Sequence, residues 1–171
     1  MPEPVLIVEY DPGWPEAFMR LREHALGILD GLVVAVEHVG STSVPGLPAK
    51  PIIDIDAVLA PEADMKEAIG RLATAGYAPL GDLGIAGREA FLAPAALPPH
   101  HLYLCRAGGR ELSRHLLFRE YLRGHPATSK EYAHLKRALA ARYGEDRDAY
   151  TEAKSPFIER VLARAIDENK A

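Results

Sequence analysis

Apolar residues recur along the chain with two periods, and the switch between them marks out the elements. From Pro15 to about Asp30, Phe18, Leu21, Ala25, Ile28 and Leu29 fall at helical spacing, and Pro15 suits a first helical turn. The runs PVLIVE (4–9), VVAVEHV (33–39) and PIIDIDAVL (51–59) predict strands. Pro51 has no N–H to give a ladder, so it belongs at a strand start or on an edge. PEADMKEAIGRLATAGY (61–77) predicts a helix that opens at Pro61 and closes at Gly76. YAPLG, REAFLA and HHLYLC read as three further strands. The glycines between Gly81 and Gly87 predict a mobile loop.

Beyond residue 108 the period is helical. RELSRHLLFREYLRG turns Leu112, Leu116, Tyr121 and Leu122 inward and stops at Gly124, before Pro126. TSKEYAHLKRALAARYG opens on a capping-box pattern, Thr128 with Glu131, and ends at Gly144. DRDAYTEAKSPFIERVLARAI predicts a last helix, which Pro156 either kinks or divides with Ser155 as a new N-cap. The fold class expected is α/β. A mixed sheet core flanked by helices spans about residues 1–107, and a helical segment spans about 108–171. Both belong to a single domain, since 171 residues suffice for one full core.

Composition changes this picture little. Apolar residues make up 48% and charged residues 26%, as in ordinary soluble domains. No apolar run reaches the roughly 18 residues of a membrane span, and MPEPVLIVEYDPGW lacks the basic start of a signal peptide. Cys105 is solitary, which excludes a disulfide framework and a thiolate cluster. A cytoplasmic protein with no membrane partner is expected. Charge is uneven: residues 1–105 carry 6 Lys/Arg against 14 Asp/Glu, and residues 106–164 carry 13 against 8. Such a division can hold a metal beside a polyanion, or it can be no more than solvated helices.

The candidate chemistry centres on EHVGSTSVPGLPAKPIIDIDAVL (37–59). Alternate residues of a strand share a face, so Asp54 and Asp56 point one way and Ile53, Ile55 and Ala57 the other. Adjacent carboxylates repel, and a divalent cation relieves the repulsion; ordinary polar alternation on an exposed edge strand is the alternative. The turn VGSTS just before them can aim N–H groups and hydroxyls at a phosphate. A phosphate cradle beside an acidic pair is what phosphoryl or nucleotidyl transfer requires.

This segment, with GREAF, HHLYLC, HLLFREYLRGHP, EYAHLKRALAARY and DRDAYTEAKSPFIERVL in order from about Tyr10 to Leu162, resembles the GrpB family. That family is placed in the nucleotidyltransferase superfamily, with a DNA-polymerase-β-like catalytic fold. In some bacteria its domain is fused to dephospho-CoA kinase. The resemblance implies that Gly40 and Ser41 contact nucleotide phosphates; Thr42 and Ser43, as hydroxyls of the same turn, are expected to join them. It implies that Asp54 and Asp56 ligate Mg²⁺ or Mn²⁺ and serve catalysis. The expected partners are a nucleoside triphosphate and an acceptor that the resemblance does not identify, with a link to coenzyme A biosynthesis through the fusion alone. One departure stands out. The superfamily's third carboxylate belongs on a later neighbouring strand, and HHLYLC has none. Glu37 or Glu89 could supply the missing oxygen; His101 is a possible metal ligand, though hard Mg²⁺ prefers oxygen. The family's FRDYLR is here FREYLR, with Glu120 for the aspartate.

Basic residues complete the candidate set. His115, Arg119 and Arg123 line one helix face, either for phosphate or for surface pairs such as Arg123 with Glu120. Lys154 falls on an apolar face four residues after Tyr150, so it either snorkels out or enters a polar pocket. Lys50 and Arg88 would join it around a triphosphate or an anionic acceptor. His100 and His101 stand at no structural-zinc spacing. His38 is expected to be oriented by backbone groups, with a general-base role as the alternative. The basic half lacks the aromatic stacking pattern of single-strand binders, so nucleic acid is not an expected partner. A metal-dependent nucleotidyltransferase is the leading reading. A non-catalytic nucleotide or phosphorylated-metabolite binder and a metal-dependent phosphohydrolase are its rivals.

Overall fold

The computed structural model describes residues 3–171. The elements run α1 (Trp14–Ile28), β1 (Val33–Val39), a 3₁₀ turn (Ser41–Ser43), β2 (Ile53–Leu59), α2 (Met65–Thr74), β3 (Ala78–Gly81), β4 (Arg88–Leu92), β5 (His100–Arg106), α3 (Arg110–Gly124), α4 (Pro126–Tyr143) and α5 (Arg147–Lys170). The five strands form one mixed sheet in the order β1-β2-β5-β4-β3. Only β2 and β5 run parallel; the other neighbours are antiparallel. The α/β class expected from the sequence is the class observed.

The sheet's two faces differ in kind. One carries Ile53, Ile55, Ala57, Leu102 and Leu104, all buried, and packs on Phe18 and Leu21 of α1 and Leu72 of α2. Burial of this size drives folding, at about 1.5–3 kcal/mol per large apolar side chain. The other face carries Glu37, Asp54, Asp56, His101 and Tyr103, which stand beside one another in the register. The helices α3, α4 and α5 cover it, with their own apolar cluster of Leu122, Tyr132, Phe157 and Val161 joined by Val44 and Leu47 from the turn region. A polar sheet face roofed by helices is where a site can form.

Several boundaries differ from the sequence reading. Residues 4–9 form no strand; only Val8 bridges Ala49, through two backbone hydrogen bonds. Ala49 has Pro48 before it and Pro51 shortly after, and neither has an N–H with which to extend the ladder. The strand after Pro51 begins at Ile53. The helix placed at Pro61 starts at Met65, because the Asp64 carboxylate accepts from Lys66 N at 2.9 Å and caps it there. The helix α4 opens at Pro126, directly after α3, so Thr128 lies inside the first turn and the Thr128–Glu131 capping box does not form. α5 runs unbroken through Pro156, and Ser155 caps nothing. An interior proline costs about 3 kcal/mol; burial of Phe157, Val161 and Leu162 just beyond it offsets that.

The Gly81–Gly87 segment is a turn tied by its own bonds: Gly84 N donates to Asp82, and Gly81 N donates to Glu89. Among the described residues no helix is long and apolar enough to cross a membrane.

Candidate functional site

The site starts from a glycine that has no substitute. Val39 and Asp54 are paired across β1 and β2, so the chain leaving β1 passes directly over the Asp54 carboxylate. Gly40 takes φ 73°, and a Cβ at that position would collide with Asp54 Oδ2. The Ser43 hydroxyl and N–H both donate to the Gly40 carbonyl and close the turn. The Thr42 hydroxyl lies 2.9 Å from His38 Nε2, on the far side of the strand. There His38 stacks on Phe18 with centroids 4.6 Å apart, and burial pushes its pKa down to about 4. His38 is therefore a neutral brace, positioned by a side-chain hydroxyl and an aromatic ring rather than by backbone groups. Gly40, Ser41 and Thr42 line the cavities, and Ser43 does not.

The two aspartates share a face but not an environment. The Asp54 side chain is 30% exposed, and that of Asp56 is 2% exposed. Asp54 Oδ1 accepts from His101 Nδ1 at 2.9 Å, and Asp56 Oδ2 accepts from His115 Nδ1 at 2.6 Å. An ionised carboxylate can only accept, so each imidazole donates through Nδ1 and keeps Nε2 for another partner. His115 Nε2 stands 3.9 Å from Glu111, and His101 Nε2 stands 3.4 Å from Arg147. Burial lowers the His115 pKa, but the bond to Asp56 and the charges of Asp56, Glu111 and Asp54 outweigh it and hold it above the ordinary histidine value.

Two cavities of about 270 Å³ each meet at Asp54, Ser41 and Lys154. The first is cationic, with Lys50, Lys136, Arg147 and Lys154 in its lining. Lys136 is 2% exposed; its ammonium donates to the Pro48 carbonyl and lies 4.7 Å from the centre of the Tyr132 ring. Burial, then the charges of Lys154 and Lys50, push Lys136 down to about 7. Burial and then Lys50 push Lys154 down to about 8, and burial and then Arg147 lower Lys50. Tyr150 sits between two of these ammoniums, with Lys50 5.3 Å and Lys154 4.6 Å from its ring centre. Its hydroxyl is fully buried and has no hydrogen-bond partner among the described residues. The second cavity is mixed in charge, with Glu111, Arg114 and His115 from α3 facing Gly40.

Not every basic residue singled out in the sequence lines the cavities that meet at Asp54. Lys50 and Lys154 do. Arg88 lies over the Tyr103 ring at 4.6 Å and donates to the Asp82 carbonyl. Arg119 donates to Glu37 at 2.8 Å and to the His38 carbonyl at 2.9 Å. Arg123 donates twice to the Ser43 carbonyl, at 2.9 and 2.8 Å, and meets Glu120 at 3.3 Å. These two arginines clamp β1 and the turn to α3. Glu37 stands in register with Asp56 but is engaged by Arg119, and Glu89 lies on the opposite face, accepting from Gly81 N. Among the described residues no three His, Cys, Asp or Glu side chains form a metal ligand set by themselves.

Lys136, Arg147, Tyr150 and the Asp56–His115 bond escape a reading by residue type. A signal for two of them is present: Tyr132 and Lys136, like Tyr150 and Lys154, are a tyrosine and a lysine four apart on a buried helix face.

Comparison with known proteins shows the family and the fold. The chain is 36% identical over 161 residues to the UPF0157 protein YqkA of Bacillus subtilis, covering 94% of this chain and 47% of that relative's length. It is 28% identical over 189 residues to a protein named dephospho-CoA kinase in Mycolicibacterium paratuberculosis, of which it spans 46%. The crystal structure of the conserved protein GrpB from Enterococcus faecalis superposes with a TM-score of 0.86 at 32% identity, covering 97% of this chain and all of that one. Residues 4–164, which hold the glycine turn, both aspartates and the lysines of the roof, match the family described as GrpB protein, and the chain belongs to that family.

Proposed function

We propose that this site transfers a nucleoside monophosphate from a nucleoside triphosphate to a hydroxyl- or phosphate-bearing acceptor, with pyrophosphate leaving. The observation that carries the reading is the joint at Asp54. One half-buried carboxylate separates a cavity lined by four basic side chains from a cavity lined by the His115 imidazole. The donor's phosphates would lie between the Gly40–Ser41 turn and the lysines, where burial strengthens every charge interaction. The acceptor would enter the second cavity. Its oxygen attacks the α-phosphorus, the bond from that phosphorus to the bridging oxygen breaks, and His115 Nε2 takes the acceptor's proton. Asp56 holds the His115 ring in the tautomer that leaves Nε2 bare.

Oxygen donors suit Mg²⁺ or Mn²⁺, which need only one or two protein carboxylates and leave room for water and phosphate. Asp54, which faces both cavities, and Asp56 would hold the ion, and it would neutralise charge on the phosphates when bound. The similarity to dephospho-CoA kinase makes dephospho-CoA one acceptor worth testing.

Calorimetry with ATP, GTP, CTP and UTP, with and without Mg²⁺, tests the reading. Mg²⁺ is expected to tighten the binding of a triphosphate, and Asp54→Asn/Asp56→Asn to remove that gain. No binding of any triphosphate would overturn it. A non-catalytic nucleotide or phosphorylated-metabolite binder is the second reading, favoured by the pairing of each aspartate with a histidine rather than with a third carboxylate. It predicts binding with no pyrophosphate release for any acceptor.

A further inference from the structure

We propose that the cationic cavity is a receptor for a pyrophosphate unit that works without metal, and that the Tyr150 hydroxyl is its positioning donor. The proposal rests on the phosphate reading of this cavity and adds which part of the ligand it takes, and through which residues.

Three features of the cavity lead there. The first is the orphaned hydroxyl. Buried polar groups are almost always paired, and leaving one unpaired costs about 1–3 kcal/mol. Tyr150 has no exposed surface, belongs to the cavity's lining, and has no partner for its oxygen among the described residues. Burial lifts its pKa to about 12, so it keeps its proton and can only gain by giving it to an acceptor.

The second is the charge. Lys50, Lys136, Lys154 and Arg147 converge, while Asp54 is the one carboxylate in the lining. Cations crowded together raise one another's cost, and a polyanion removes that cost. A single negative charge would leave most of it in place, and a diphosphate would not. Three of these groups stand on α4 and α5 (Lys136, Arg147, Lys154), as does Tyr150; Lys50 lies in the segment before β2. The recognition element is thus the helical roof rather than the glycine turn.

The third is size. About 270 Å³ falls below the 300–1,000 Å³ range of sites that hold whole drug-sized ligands. It accommodates a diphosphate and leaves a nucleoside outside. The cavity therefore reads phosphate number and not the base.

The test is calorimetric titration of the full chain with inorganic pyrophosphate in EDTA. Orthophosphate, sulfate and a nucleoside monophosphate serve as comparisons, and Tyr150→Phe and Lys154→Met as variants. Wild type should bind pyrophosphate at least tenfold more tightly than orthophosphate or sulfate. Tyr150→Phe, which keeps the ring and removes only the oxygen, should weaken it by roughly tenfold to a hundredfold, the worth of a hydrogen bond to a charged group. Unchanged melting would show that Tyr150→Phe is folded. Lys154→Met should abolish saturable binding.

Failure of pyrophosphate to bind in EDTA, equal affinity for sulfate, or an unaltered constant in Tyr150→Phe would each overturn the proposal. Mg²⁺-dependent triphosphate binding that survives any of these results would leave the nucleotidyl-transfer reading standing. Loss of both would remove the two together.

Discussion

The His115 imidazole donates to Asp56 across 2.6 Å, fastening α3 to a central strand of the sheet. The bond answers why a carboxylate is tolerated at a position only 2% exposed: an imidazole that can carry positive charge faces it. The partnership has a measurable signature. The His115 pKa is held above 6.5, chiefly against burial, by the Asp56 bond and nearby carboxylates. A group whose pKa is raised on folding contributes its full stability below the unfolded value of about 6.5. That contribution is lost as pH rises through the folded value. Imidazole ¹H–¹⁵N spectra should show His115 titrating above 6.5 in wild type and lower in Asp56→Asn. An unchanged His115 titration in Asp56→Asn would remove the bond from the account.

Gly40 and Asp54 should behave as one unit. Gly40→Ala places a Cβ against the carboxylate and forces an L-residue to φ 73°. Strain plus overpacking should cost about 2 kcal/mol or more. Asp54→Ala empties the space that the methyl needs. In a double-mutant cycle read by urea denaturation, the pair should therefore be less destabilised than the sum of the singles. Additive losses would mean that the collision does not matter.

Lys136 predicts a slope of stability with pH. Its folded pKa is about 7 against an ordinary 10.5. Between those values the unfolded chain holds a proton that the folded chain does not, so stability rises with pH across the window and flattens below about 7. Lys154, at about 8, acts in the same direction. Urea midpoints at pH 6.5 and 9.5 should differ clearly in wild type and much less in Lys136→Met. That variant should also be the more stable protein at pH 6.5, because it removes a buried charge.

Arg119 and Arg123 give the opposite kind of expectation. Both are engaged by protein oxygens, so neither should hold a ligand. Arg119→Ala leaves Glu37 and the His38 carbonyl without their donor and should cost about 2–3 kcal/mol. Arg123→Ala frees the Ser43 carbonyl and should cost less, since Arg123 is the more exposed of the two. In the folded fraction of either variant, triphosphate affinity measured by calorimetry should stay within about twofold of wild type. A tenfold loss would return them to the binding site.

Much of the frame could be read from residue order. The β-branched runs at 33–39 and 53–59 are strands because alternation there matches the pleat, and the same alternation puts Asp54 and Asp56 on one face. Gly40 was legible as the pivot of the turn, although what it must avoid, Asp54 Oδ2, is set by strand pairing across fourteen positions of sequence. What escaped was tertiary. No local rule says that His115 will meet Asp56, 59 residues away, or that Lys136 will reach the Pro48 carbonyl, 88 residues away. The strand expected at 4–9 failed for a related reason: its β-branched residues were suitable, but its partner segment is interrupted by prolines. At Pro156 the division of the helix, one of the two expected outcomes, does not occur, because packing around it outweighs a local break.

The roofing of a polar sheet face by the last three helices has a consequence for the order in which this molecule comes into being. Asp54 and Asp56 leave the ribosome ahead of the roof, while His115, Lys136, Tyr150 and Lys154 follow up to a hundred residues later. Until they arrive, the nascent sheet carries two neighbouring carboxylates with no cation from the roof to answer them. The N-terminal half alone can bury its apolar face on α1 and α2, yet it holds only one wall of each cavity. The cationic cavity at Asp54 is walled only once α5 is in place, so a chain cut short before α5 would carry the glycine turn and both aspartates without Arg147, Tyr150 and Lys154.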